Sequence, residues 1–144
     1  MNAKTVSTEQ DEKALLAIVE EMSRSRSGAQ STKHWAPDAL WFDAPPFASK
    51  GVEAARKKFD EQFGAVSSFV AEILKTETFV NGDMAVVCSV QRWTIGEKNG
   101  TVRPPMLTRA TDCFERRDGQ WRVIHEHLSL PIGGGWDGTI QTGD

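Results

Sequence analysis

Tyrosine is absent from the chain, although five tryptophans and seven phenylalanines are present. No phenol is therefore available as proton donor, general acid or nucleophile, and chemistry of that kind must draw on His, Trp, Arg or a carboxyl group. Cysteine is scarce as well. Cys88 and Cys113 are too few and too far apart for a disulfide framework, and they read as reduced, buried thiols of a cytosolic protein. No stretch approaches the ~20 apolar residues that a membrane span needs. The segment Met1 to Glu12 is polar and acidic, unlike a basic leader followed by an apolar core. Positive charge is also short, with 17 Lys and Arg against 20 Asp and Glu and a net charge of −3. Nucleic acid binding wants a basic face, and the densest basic cluster, Arg56-Lys57-Lys58, is followed by apolar Phe59 and reads as a solvated helix face. These absences predict a cytoplasmic protein with neither a nucleic acid nor a membrane partner.

The 144 residues suit one domain, which buries roughly two thirds of the surface of its unfolded chain. Thr8-Glu9-Gln10-Asp11 offers a helix start, and Ala14, Leu15, Ile18, Val19 and Met22 follow at helical spacing as far as Gly28. A short second helix is expected over Ala29 to His34, a turn at Trp35 to Asp38, and a short strand over Ala39 to Asp43. The consecutive prolines in Ala44 to Ser49 predict a loop, because they remove two backbone donors. A third helix is expected over Gly51 to Phe63, with Val52, Ala55, Phe59 and Phe63 on one face. Four antiparallel strands follow at Ser67 to Val80, Met84 to Ile95, Thr101 to Arg116 and Gln120 to Leu130, with turns at Asn81-Gly82 and Asp118-Gly119. Strands in series pair as neighbours and need helices over their apolar face, so the expected fold is α+β: three N-terminal helices on a curved, mainly antiparallel sheet. The domain is placed at residues 1–131 and a Gly-rich tail at 132–144. A helix that fails to fill the wide end of such a cone leaves a pocket there.

This order of elements resembles the nuclear transport factor 2-like superfamily, which has a cone-shaped, cystatin-like fold. The most specific stretch is Arg116-Arg117-Asp118-Gly119-Gln120-Trp121 followed by His125-Glu126-His127-Leu128-Ser129, which is similar to the SnoaL-like branch and to the association domain of calmodulin-dependent kinase. A second match is Pro37-Asp38-Ala39 with Trp41-Phe42-Asp43 and Gly51. The superfamily includes ketosteroid isomerases, polyketide cyclases, dehydratases, transport adaptors and oligomerisation modules, so the resemblance implies a fold more firmly than a function. By the isomerase pattern, Asp43 matches the general base and Asp112 the neutral hydrogen-bond donor. The tyrosine of that pattern would fall near Val19 and has no counterpart. By the kinase pattern, Arg92 matches one pocket arginine.

Asp43 is flanked by Trp41, Phe42 and Phe47, whose apolar surface raises a carboxyl group's proton affinity toward that of a base; a strand-end cap is the alternative. If Asp112 points inward, so do Ala110 and Phe114, and the facing set on the preceding strand is read as Val86, Cys88, Val90 and Arg92. Asp112 and Arg92 then share one pocket, as an ion pair that is either structural or functional. Alternation along the last strand puts His125 and His127 inside with Trp121, Val123 and Ser129, and puts Arg122 and Glu126 outside. A His-x-His pair on a strand can ligate a metal, yet no third ligand stands at characteristic spacing, so no metal is expected. As pocket walls, His127 is a candidate proton donor or shuttle and His125 a ligand contact; hydrogen-bonded core histidines are the alternative.

The expected site therefore has Asp43, Asp112 and His127 as candidate catalytic residues and Trp41, Phe47, Phe59, Phe63, Arg92, Phe114 and His125 as ligand contacts. Two functions fit. One is a homodimer that binds a small, partly hydrophobic molecule, such as a carbonyl compound or carboxylate, and carries out cofactor-free isomerisation, cyclisation or dehydration. The other is a noncatalytic association module with an apolar outer sheet face at Leu107, Cys113 and Leu128.

Overall fold

The computed structural model describes residues 3–44 and 47–131. Pro45-Pro46 and the Gly-rich tail read at 132–144 lie outside the described residues. Helix α1 spans Ala3–Ser23, α2 Gly28–Ser31 and α3 Val52–Gly64. The strands are β1 Trp35–Phe42, β2 Ala48–Lys50, β3 Ser68–Asn81, β4 Met84–Gly96, β5 Met106–Arg117 and β6 Gln120–Ser129. They form one six-stranded sheet in the order β2-β1-β6-β5-β4-β3. Every pairing is antiparallel except β1 with β6. The expected α+β architecture of three helices on a mainly antiparallel sheet is the one observed. No helix among the described residues is long and apolar enough to cross a membrane.

The two hairpin turns follow from local chemistry. Asp118 and Gly119 both have positive φ, 51° and 75°, the mirror-image turn whose twist matches paired strands and which glycine adopts without strain. Gly82, with φ 62°, turns β3 into β4.

Several boundaries differ from expectation: α2 spans Gly28–Ser31 rather than Ala29 to His34, and β5 begins at Met106 rather than Thr101, beyond Pro104-Pro105. Helix α1 begins at Ala3 rather than Thr8. Strand β1 begins at Trp35, four residues early, because Pro37 sits where the pairing with β6 is interrupted between Trp35 and Leu40; no ladder donor is needed there. Ala48–Lys50 is a short strand on the far edge of β1 rather than loop.

The core lies between the helices and one sheet face. Leu15 and Val19 of α1, Ala55 of α3, Trp35 and Trp41 of β1, Val87 of β4, Phe114 of β5 and Val123 of β6 are all nearly or fully buried. Trp41 stacks on Phe59 at 4.4 Å and meets Trp35 edge-on at 6.1 Å. At one end of the sheet, Arg116 locks α1 down: its two terminal nitrogens donate to the Asp11 carboxylate at 3.0 and 2.9 Å, and its guanidinium lies 4.2 Å over the Trp121 ring.

Candidate functional site

Two register features decide which side chains reach the helix-covered face. On β4 and β5, Asp112 stands directly opposite Val87 and Ala110 opposite Ser89. Directly opposed residues share a face, so the inward set on β4 is Ala85, Val87, Ser89 and Gln91, not Val86, Cys88, Val90 and Arg92. On β5 and β6 the pairing slips by one residue: Phe114 faces Val123, but Cys113 faces His125. Ile124 is the extra residue of this bulge. Alternation restarts after it, with Glu126 and Leu128 buried and His127 exposed.

The slip overturns the expected histidine wall. His125 and His127 lie on the outer face against Phe42, at ring-centroid distances of 5.2 and 5.4 Å. His125 Nδ1 bonds the Leu40 carbonyl at 2.9 Å, which makes it structural. Arg92 is likewise outside, opposite Glu72 on β3, and donates from Nη1 to Glu72 Oε2 at 3.0 Å. The expected Asp112–Arg92 pair therefore does not form. Leu128, expected outside, lines the interior.

On the inner face a cavity of about 490 Å³ opens between α1, α3 and β3 to β6, within the size range of ligand pockets. Its apolar wall contains Phe59, Phe63, Phe69 and Trp93. These rings touch in series, Phe59 to Phe63 at 6.3 Å, Phe63 to Phe69 at 5.8 Å and Phe69 to Trp93 at 5.2 Å. Phe59 and Phe63 were expected here. Trp41, Phe47 and Phe114 are not part of the wall: Trp41 and Phe114 are fully buried in the core, and Phe47 packs on Trp41 at 5.4 Å with the Lys58 ammonium 5.0 Å from its ring.

Three carboxyl groups line the cavity: Asp43, Asp112 and Glu126. Asp43 follows β1, and both its oxygens are held, Oδ1 by the Ala44 N–H at 2.7 Å and Oδ2 by Gln62 Nε2 at 2.6 Å. Burial raises its pKa above the usual carboxylate value, and the bonds from Gln62 and Ala44 and the charge of Lys58 oppose that rise.

Asp112 and Glu126 are register partners across β5 and β6, 1% and 6% exposed. Among the described residues no N–H donor reaches Asp112 Oδ1; its side-chain hydrogen-bond partner is the Glu126 carboxyl. Two carboxyl groups can bond each other only if one keeps its proton. Burial pushes Asp112 up to about 6, while the bond from Glu126 pulls it down. Burial, the charge of Asp112 and the bond to it push Glu126 well above its usual value, and the charge of Asp43 adds to the rise. The pair thus keeps one proton between two buried acids. On β4, Trp93 Nε1 donates to Gln91 Oε1 at 2.9 Å and Gln91 Nε2 to Ser89 Oγ at 3.0 Å.

Glu126 is the residue that strict alternation missed. The signal lies in the spacing of Val123 and Leu128: both are apolar and buried, yet an odd interval separates them, which requires a phase slip between. Among the described residues no three of His, Cys, Asp or Glu are grouped to hold a metal ion.

A sequence profile of the SnoaL-like domain matches residues 13–133. No match is found among curated proteins. Among solved structures, the chain is similar to an NTF2-like protein of unknown function from Pseudomonas putida KT2440, with 24% identity, a TM-score of 0.80, and coverage of 94% of this chain and 96% of that one. An NTF2-like protein with a cystatin-like fold from Novosphingobium aromaticivorans gives 16% identity and a TM-score of 0.80, covering 92% and 90%. A candidate scytalone dehydratase from the same organism gives 20% identity and a TM-score of 0.75, covering 86% of each chain. At these identities the likeness is one of fold.

Proposed function

The chain belongs to the SnoaL-like domain family, with its NTF2-like, cystatin-like fold, and from that premise we propose that it binds a small, partly apolar molecule in the helix-covered cavity and acts on it by cofactor-free acid–base chemistry of the lyase type. The observation that carries this reading is the placing of two kinds of carboxyl group on one cavity. Asp43 has both oxygens occupied by N–H donors and is held ready as a base. The Asp112–Glu126 pair holds one proton between two buried acids. Groups whose surroundings push their proton affinities apart divide into base and acid.

In an elimination, Asp43 takes a proton from carbon, the C–H electron pair forms the new double bond, and the C–O bond breaks. The leaving hydroxyl takes the proton of the Glu126–Asp112 pair and departs as water. Asp43 returns its proton to the pair through solvent, restoring both groups. An isomerase route would use the same groups, with the protonated carboxyl of the Glu126–Asp112 pair donating to a developing oxyanion in place of a leaving hydroxyl. The candidate scytalone dehydratase among the structural neighbours agrees with the elimination reading at the level of fold. A panel of cyclic β-hydroxy ketones, followed by the ultraviolet absorbance of the conjugated product, tests the proposal. Turnover abolished by both Asp43→Asn and Glu126→Gln supports it; turnover that survives Asp43→Asn rejects the base assignment.

The same reading includes a homodimer formed through the outer sheet face, where Phe42 and Phe79 are 37% and 62% exposed. Exposed apolar side chains mark an interaction surface where they form a contiguous patch.

A further inference from the structure

Among the described residues no unpaired cation lines the cavity to meet an anionic ligand; Lys58, whose charge reaches Asp43, pairs with Glu61 at 3.6 Å. Arg92 is on the opposite face, bonded to Glu72. Arg103, the one basic residue among the described lining residues, donates from Nε to Glu97 Oε1 and lies 46% exposed. Against it stand Asp43, Asp112 and Glu126. A ligand carboxylate would enter a low-dielectric space already holding negative charge, and like charges brought together in such a space are strongly disfavoured.

The wall also has an unfilled demand. Asp112 is 1% exposed and lines the cavity, and its Oδ1 receives no N–H from the described residues. A buried acceptor of this kind is costly to leave without a donor. Neither Gln91 nor Trp93 donates to it: Trp93 Nε1 is turned to Gln91 Oε1 and one Gln91 N–H to Ser89 Oγ, and the second Gln91 N–H does not reach Asp112 Oδ1; both Asp43 oxygens already accept an N–H. The place where a bound molecule gains most from donating a hydrogen bond is therefore Asp112.

We propose that Asp112 selects ligands by their polar group, accepting a ring-bearing apolar molecule whose hydroxyl or ammonium donates to it and rejecting the corresponding carboxylate. This rests on the reading of the cavity as a ligand site and adds the class of ligand. The aromatic series from Phe59 to Trp93 supplies the face for the ring, and a volume of about 490 Å³ admits a two-ring body.

Isothermal titration calorimetry at pH 7.5 with 2-naphthylmethanol, 2-naphthylmethylamine and 2-naphthoate holds the ring constant and varies the polar group. The alcohol or the amine should bind at least ~10-fold more tightly than the naphthoate, a gap worth about 1.4 kcal/mol, and which of the two is tighter identifies the donor. In Asp112→Asn, which replaces the anionic acceptor by a group that offers an N–H, the gap should close or reverse. In Glu126→Gln, which keeps the Asp112 charge and still offers it a donor, the gap should persist. Naphthoate binding as tightly as the others to the wild-type protein overturns the inference without needing any variant. An unchanged gap in folded Asp112→Asn overturns the role of Asp112. Binding by none of the three overturns the cavity as a ligand site, and this inference with it.

Discussion

Asp112 on β5 and Glu126 on β6 face each other across the sheet, fully buried, with one proton between them. Their meeting depends on a single extra residue. Without the bulge at Ile124, His125 and His127 would point inward and Glu126 would point to solvent. The cavity would then have imidazoles where it now has a second acid.

The pair makes stability fall as pH rises. A carboxyl whose folded pKa exceeds its unfolded value favours folding most below the unfolded pKa, and that contribution is lost as pH rises through the folded pKa. For Asp112 the interval runs from the ordinary carboxyl value to about 6, and the part of it above pH 4.5 is worth about 2 kcal/mol. Asp11 and Asp38, whose pKa values are lowered by Arg116 and Arg117, act in the opposite sense but below this interval. Urea unfolding at pH 4.5 and 7.5 should show Asp112→Asn gaining on the wild type by about 2 kcal/mol at the higher pH. A stability difference that stays constant between the two pH values would contradict the burial of this acid.

Gln62 tunes Asp43. Its amide donates to Asp43 Oδ2 and opposes the rise caused by burial. Gln62→Leu removes the donor and should move the Asp43 pKa upward, measured by carbon-13 NMR of the side-chain carboxyl. If the resonance titrates at the same pH in both proteins, Gln62 has no part in poising the base.

Arg116 joins helix to sheet through a two-pronged bond to Asp11 and a stack on Trp121. Such a fork cannot be reproduced by an ammonium group. Arg116→Ala should lower unfolding stability by about 1–2 kcal/mol, and Arg116→Lys should recover less than half of the loss. Full recovery by lysine would mean that charge alone matters at this junction.

Phe79 tests assembly. Sedimentation velocity at micromolar concentration should give a dimer for the wild type and a monomer for Phe79→Asp, with circular dichroism unchanged. A wild-type monomer would remove the assembly reading.

Much of the fold was legible because its signals are local. Asp118-Gly119 and Gly82 demand turns, the Val52-Ala55-Phe59-Phe63 spacing demands one helix face, and both features stand as expected. Asp43 and Asp112 were also legible as cavity acids. The phase of β4 was not, because both of its faces carry apolar side chains: Ala85 and Val87 inside, Val86, Cys88 and Val90 outside. Period-2 reasoning has nothing to choose between there, and Arg92 went to the wrong face with its neighbours. The last strand failed for a different reason. A bulge changes phase without changing composition, so His125, Glu126 and His127 exchanged sides as a group. Cys88 and Cys113, expected to be buried, are only partly so because they share that outer face.

The central claim is that Glu126 faces the cavity and that it and Asp112 keep one proton between them at neutral pH, because both are buried and each stands beside the other. Infrared difference spectroscopy at pH 7.5 reads this directly through the carbonyl stretch of a protonated carboxyl group. The account predicts that this band is present in the wild-type protein and lost in Glu126→Gln. A wild-type spectrum without it, or a band that survives Glu126→Gln, would contradict the shared proton on which the proposed chemistry depends.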